Sequence, residues 1–333
     1  MKEPRPGALA GAAALAVALA CDAAAPGTLP LVPVADVALP GDTSRFDYAS
    51  YDGRRHLLWI AHLGQSEVLA FDTRARQVRA RITGLRHVHG VLAIPELGVA
   101  YASATGSDEV VAVDEERLAE VARMPGGTYP DGMAYAPPAG KLYVSDETGQ
   151  TETVIDVRSN RRVATIALGG DVGNTQYDAA SGHVFVNVQS RRQLVEIDPQ
   201  TDRIVARTDL PGAKGNHGLL IEPALRLAFI ACEDNDRLLV LDLASRRVTA
   251  AFDVGSEPDV LAYDPAPGLL YVASESGTLS MFKVAAGHVA ALGSGTLAPD
   301  AHVVAVDPQT HLVYFPIRSL GGRPVLRIMR PAP

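Results

Sequence analysis

The sequence predicts an all-β fold, a seven-bladed β-propeller built from four-stranded blades. Three observations carry that expectation. One aromatic-anchored strand recurs seven times, most anchors are followed at a fixed distance by an aspartate, and short β-branched runs alternate with Gly, Pro, Asn and Asp clusters.

The anchors are Trp59, Tyr101, Tyr143, Phe185, Phe229, Tyr271 and Tyr314, separated by 42, 42, 42, 44, 42 and 43 residues. Aromatics make up only 5% of the chain, so this equivalence is not accidental. Thirteen residues after five anchors come Phe71-Asp72, Val113-Asp114, Ile155-Asp156, Ile197-Asp198 and Leu241-Asp242; the sixth repeat carries Phe282-Lys283 slightly earlier. An Asp closing an apolar run is a turn former, so these aspartates read as structural. The third repeat shows the whole unit: strands over 132–136, 141–145, 152–157 and 162–168, separated by Pro137-Pro138-Ala139-Gly140, Thr148-Gly149-Gln150 and Arg158-Ser159-Asn160. Four strands in about 42 residues make a propeller blade. The last repeat stops after a third strand at 325–329, whereas 33–39 resembles the outer strands at 162–168 and 203–209. The N-terminal strand is therefore expected to complete the seventh blade and remove its open edge.

The 333 residues are 47% hydrophobic and 20% charged, which supports a packed core. A net charge of −8 repels phosphate backbones and argues against nucleic acid as a partner. Lys2 and Arg5 precede an apolar stretch over 8–20, the pattern of a signal peptide at 1–20. Ala18-Leu19-Ala20-Cys21 is similar to a lipobox, with Cys21 the lipidated residue, although leucine is usual where Ala18 stands. Ordinary cleavage near 23–25 and a retained anchor are the other readings. Residues 21–30 form a linker and 31–333 a single propeller domain. The expected location is periplasmic or extracellular, with the membrane reached only through a lipid on Cys21, and the expected state is a monomer. Cys232 then has no intrachain partner, so the fold does not depend on disulfides.

Lys141-Leu142-Tyr143-Val144-Ser145, Thr153-Val154-Ile155-Asp156, Arg162-Val163-Ala164-Thr165-Ile166 and the lead-in Tyr129-Pro130-Asp131-Gly132-Met133-Ala134 together resemble the YVTN-type, YncE-like propeller repeat. The resemblance covers about residues 31–330. It implies an exported propeller, and it implies little about activity, because relatives include exported proteins of unknown role, surface-layer proteins and propeller subunits of quinoprotein amine dehydrogenases. Lactonase-like and streptogramin-lyase-like propellers are similar at the level of the repeat. WD40 repeats fit less well, since no repeat here ends in Trp-Asp.

Propellers bind at the mouth of the central channel, where each innermost strand begins. Twelve residues before the anchors stand Asp47, His89, Asp131, Gly173, His217 and Asp259, with His302 in the seventh repeat. Two residues earlier come Arg45, His87, Tyr129, Asp171, Gly215, Glu257 and Asp300. Loops after the second strands are expected to bring His62, Asp146, Glu147, Cys232 and Glu233 to the same face. Imidazole and carboxylate together suit a divalent ion such as Zn²⁺, Cu²⁺, Mn²⁺ or Fe²⁺. Ligand bonds of about 2.0–2.6 Å forbid one ion from touching seven residues, so a subset such as His302, Asp47, His89 and Asp131 would close on it. Hydrogen bonding between blades, and metal-free acid–base work, are the competing uses of the same ring. Cys232 is a soft ligand in one reading and an inert buried thiol in the other.

No Gly-x-Ser-x-Gly elbow, phosphate-cradling loop or Cys-x-x-Cys pair is present. The expected function is an exported binding propeller that presents its Asp/His ring to a divalent metal, a small ligand or a protein. A metal-assisted hydrolase or lyase at the same mouth is the first alternative and a protein-interaction scaffold the second.

Overall fold

A computed structural model describes Met1 and residues 29–332 of the chain; the rest of the expected signal peptide and Cys21 lie outside the described residues. Seven four-stranded antiparallel sheets follow one another along the chain. The first blade runs Ala49–Asp52, Leu57–His62, Glu67–Asp72 and Gln77–Thr83 from inside to outside. The third runs Pro130–Ala136, Lys141–Asp146, Thr151–Asp156 and Arg161–Ala167. The seventh joins Ala305–Asp307, Leu312–Leu320 and Arg323–Pro331 to the N-terminal strand Leu31–Ala38. That strand pairs antiparallel with Arg323–Pro331, and Arg327 holds Asp36 through two bonds of 2.9 and 2.8 Å.

Burial explains the sequence pattern strand by strand. Every residue of Leu57–His62 is buried, because the second strand is covered by the blades on both sides. Such strands read as continuous apolar runs. The outer strands Gln77–Thr83 and Arg161–Ala167 alternate instead, placing Arg81 and Arg161 in solvent. One covered face and one wet face impose that period of two. The expected turn-forming aspartates do act as turn caps: Asp72 Oδ1 accepts the amides of Arg74 and Ala75 at 3.0 and 2.8 Å.

The anchors do more than fill space. Trp59 Nε1 donates to Glu115 at 2.8 Å, Tyr101 to Asn160 at 2.9 Å and Tyr143 to Asp202 at 2.5 Å. Each acceptor lies on the turn after the third strand of the following blade. In these three the aromatic body packs in the core while its polar tip ties one blade to the next, whereas the buried Tyr271 hydroxyl has no hydrogen-bond partner. Phe185 and Phe229 occupy the same position without a tip, so packing alone suffices there.

Candidate functional site

Each innermost strand begins at the channel mouth after a tight turn. His87, Tyr129, Gly215, Glu257 and Asp300 all adopt a left-handed φ between 45° and 62° there. Their amides are met by polar groups on the preceding blade: Ser66 Oγ for His87, Asp108 Oδ1 for Tyr129 and Asp236 Oδ1 for Glu257, at 2.9–3.1 Å. The turn also aims the carbonyl back at the ring residue two positions on. His87 O accepts from His89 Nδ1 at 2.8 Å and Asp300 O accepts from His302 Nδ1 at 3.0 Å. A carbonyl can only accept, so both histidines carry hydrogen on Nδ1 and turn Nε2 inward.

Inside the ring, Asp47, Asp131, Asp259 and His302 are 1–3% exposed. His302 Nε2 lies 3.7 Å from Asp47 Oδ1 and 3.9 Å from Asp259 Oδ2. His89 Nε2 lies 3.7 Å from Asp47 Oδ2. Across the ring, His217 sits between Glu233, at 2.9 Å from Nδ1, and Asp131, at 3.3 Å from Nε2. Two groups offer ligand atoms all within 4.8 Å of one another: Asp47, Asp259 and His302, and His217, Glu233 and Asp259. Three atoms that face this ring, Asp47 Oδ2, Asp131 Oδ1 and His302 Nε2, are buried without a hydrogen-bond partner.

Burial disfavours the charge on Asp47, but His302, His89 and Arg45 outweigh it and hold the carboxyl below its usual range. Asp131 is pushed well above that range by burial and then by the charge on Asp47. Burial raises Asp259 to about 6 against the pull of His217 and His302. Burial works against the imidazolium of His217, yet Glu233, Asp259 and Asp131 lift it to about 10. His302 is lifted to about 9 against its burial, by Asp47, Asp259 and Glu275. His89 goes the other way, because burial there outweighs Asp47. The ring thus mixes carboxylate, carboxylic acid, imidazole and imidazolium within a few ångströms.

The positions two residues before the ring separate into two kinds. Arg45 turns in, 2.7 Å from Glu275 and 3.8 Å from Asp47, and the Tyr129 hydroxyl donates to His89 Nε2 at 3.1 Å. His87 and Glu257 are exposed, Asp171 is exposed and accepts from Gln150, and Asp300 pairs with Arg318 at 2.6 Å. Those four shape the turns; among the described residues their side chains make no hydrogen bond or ion pair with a ring residue. His62 is stacked on Phe46 at 4.2 Å, near Ser44 and Glu67, away from the ring. Cys232 packs among Leu219, Ile230 and Leu239, and burial pushes its thiol up to about 12. A thiol so placed behaves as a small apolar side chain.

Three site residues escaped the sequence reading. Tyr48 is half-buried beside the ring, donating to Asp259 Oδ1 at 3.1 Å and accepting from Asn174 at 2.8 Å. Glu275 joins Arg45 to His302. Its signal was available: Glu147, Glu233 and Glu275 all stand four residues after their anchors. Above the ring, Arg45, Glu233, Asp234, Asp236, Glu257 and Glu275 border an acidic cleft of about 650 Å³. Below it, a 140 Å³ cavity in the central channel is lined by Tyr48, Ser50, Asn174, Thr175, Gln176 and glycine and apolar residues of the inner strands.

No protein-family model matches the sequence, and no curated protein matches it. Solved structures do. A chain of Kuenenia stuttgartiensis hydrazine synthase superposes with a TM-score of 0.73 at 14% identity, over 88% of this chain and 96% of that one. A chain of the mitotic checkpoint complex superposes with a TM-score of 0.74 at 12% identity, over 99% and 98%. These likenesses establish the seven-bladed propeller, and identities so low carry the fold alone.

Proposed function

We propose that this chain is an exported, YVTN-like propeller that binds a divalent metal ion at its channel mouth, through Asp47, Asp259 and His302 with His89 beside them. One observation carries the reading: Asp47 Oδ2 and His302 Nε2, both buried and both turned to the ring, have no hydrogen-bond partner. An unpaired buried polar group costs about 1–3 kcal/mol, and a bound cation would satisfy both at once. Two carboxylates and one imidazole suit Zn²⁺, Mn²⁺ or Fe²⁺. His302 is held as a metal-bound histidine would be, with its other nitrogen on a backbone carbonyl. The acidic cleft above the ring offers a path from solvent, and a small ligand or protein would meet the ion there.

The test is calorimetric titration of chelator-stripped protein with Zn²⁺ and Mn²⁺. Binding at micromolar or tighter affinity is expected, with Asp47→Asn and His302→Ala each at least tenfold weaker. Absence of binding by the parent protein would overturn the reading. Export and lipidation at Cys21 are tested by the mass of the mature N-terminus in the parent and in Cys21→Ala. Hydrolase or lyase activity would be sought with lactones and esters on the metal-loaded protein; no turnover leaves the binding role.

A further inference from the structure

We infer that the ring is built for two divalent ions, bridged by the Asp259 carboxylate. The inference rests on the metal reading above and extends it to a second site that includes His217 and Glu233. The geometric ground is that Asp259 belongs to both ligand groups, one toward Asp47 and His302, the other toward His217 and Glu233.

The two oxygens of Asp259 face different sides. Oδ2 is the atom 3.9 Å from His302 Nε2. Oδ1 accepts from the Tyr48 hydroxyl at 3.1 Å, and that hydroxyl lies 3.5 Å from His217 Nε2. A carboxylate so placed can give one oxygen to each ion. Each group then supplies one imidazole and one private carboxylate: His302 and Asp47 for the first ion, His217 and Glu233 for the second. Each imidazole also has its other nitrogen on an acceptor. His302 Nδ1 donates to Asp300 O, and His217 Nε2 faces Asp131 Oδ2 at 3.3 Å, which leaves Nδ1 for the ion beside Glu233. Asp131, whose Oδ1 is buried without a hydrogen-bond partner, joins this second side through Oδ2. Tetrahedral donors at about 2.1 Å from an ion stand roughly 3.4 Å apart, so atoms up to 4.8 Å apart need a contraction of at most about 1.4 Å, while the His217–Glu233 pair at 2.9 Å opens slightly. Tyr48, Asn174 and Asp131 form the wall that would orient Asp259 and His217. Glu233 is the member nearest solvent, at 28% side-chain exposure, so the second ion would load from the acidic cleft.

The experiment counts ions. Chelator-stripped full-length protein is loaded with Mn²⁺ and analysed by elemental analysis and electron paramagnetic resonance. Two equivalents with an exchange-coupled spectrum are expected for the parent. Glu233→Gln and His217→Ala should bind one equivalent with a mononuclear spectrum, and His302→Ala should likewise retain one. Asp259→Asn should abolish the coupled spectrum. Circular dichroism and the unfolding midpoint of each variant establish that it is folded; Glu233→Gln, at the solvent side, is the variant least exposed to misfolding. One equivalent in the parent, unchanged in Glu233→Gln and His217→Ala, overturns the second site and leaves the single-ion reading intact. No bound Mn²⁺ in the parent overturns both.

Discussion

Glu152 offers a test of the architecture away from the ring. It lies in the third strand of the third blade with 0% exposure, and neither carboxyl oxygen has a hydrogen-bond partner. Thr175, the hydroxyl beside it, donates instead to the Phe185 carbonyl at 3.3 Å. The same position carries Val68, Val110, Leu194, Leu238, Leu279 and Leu326 in the other six blades, all buried. The slot is therefore apolar by design of the repeat, and Glu152→Leu should fill it. Removing an unsatisfied buried group restores about 1–3 kcal/mol, and the two side chains are close in volume. We expect a gain of about 2 kcal/mol near pH 4, or roughly 3 °C in Tm for a domain of about 300 residues, to which proton release adds at higher pH. The gain should depend on pH. Burial, then Asp146, pushes Glu152 well above its ordinary value. The folded state keeps a proton that the unfolded state releases, so its stability falls as pH rises above about 4.3, by up to about 1.4 kcal/mol per unit. The fall ends at the folded-state pKa. Urea denaturation of the parent, Glu152→Leu and Glu152→Gln from pH 4 to 8 isolates this term, because Asp146 titrates in all three. A Glu152→Leu protein less stable than the parent at pH 7, or a difference between them that does not widen above pH 4.3, would refute the reasoning.

Two further outcomes follow from the packing. Tyr143→Phe removes the bond to Asp202, which Lys141 still holds at 2.8 Å, so a loss of about 1.5 kcal/mol in denaturant unfolding is expected; no loss would mean the blade-to-blade tie is idle. A Cβ on Gly218 would lie 2.0 Å from the Asp259 carbonyl oxygen, a backbone atom that can yield only if the sixth inner strand moves. Gly218→Ala should therefore lose about 1–3 kcal/mol of stability and at least tenfold in Zn²⁺ affinity by titration, whereas Gly53→Ala, whose Cβ meets Tyr51 at an ordinary 3.6 Å, should change neither.

That glycine shows where legibility in the sequence ended. The repeat period, the strand pattern and the turn aspartates are local, set by two-residue periodicity and by residues within a turn, so one chain read from end to end reveals them. So does the ring as a set of positions, because equivalence in the repeat implies equivalence around the axis. Which ring members meet is decided between blades. Asp47 finds His89 and His302, while His217 finds Asp131 and Glu233, because inner strands approach closely at Gly90 and Gly218, where a side chain would strike the next blade's backbone. The sequence marked Cys232 and His62 as near the mouth, but strand alternation points them into the blades. Nothing in the repeat singled out Tyr48, which stands between the ring residue Asp47 and the strand Ala49–Asp52. The sequence by itself determined seven blades and one polar ring. Only the tertiary structure decided which carboxylates lose their water, which histidines keep their protons and which atoms are left for a ligand, because burial and charge pairing are properties of neighbours far apart in the chain.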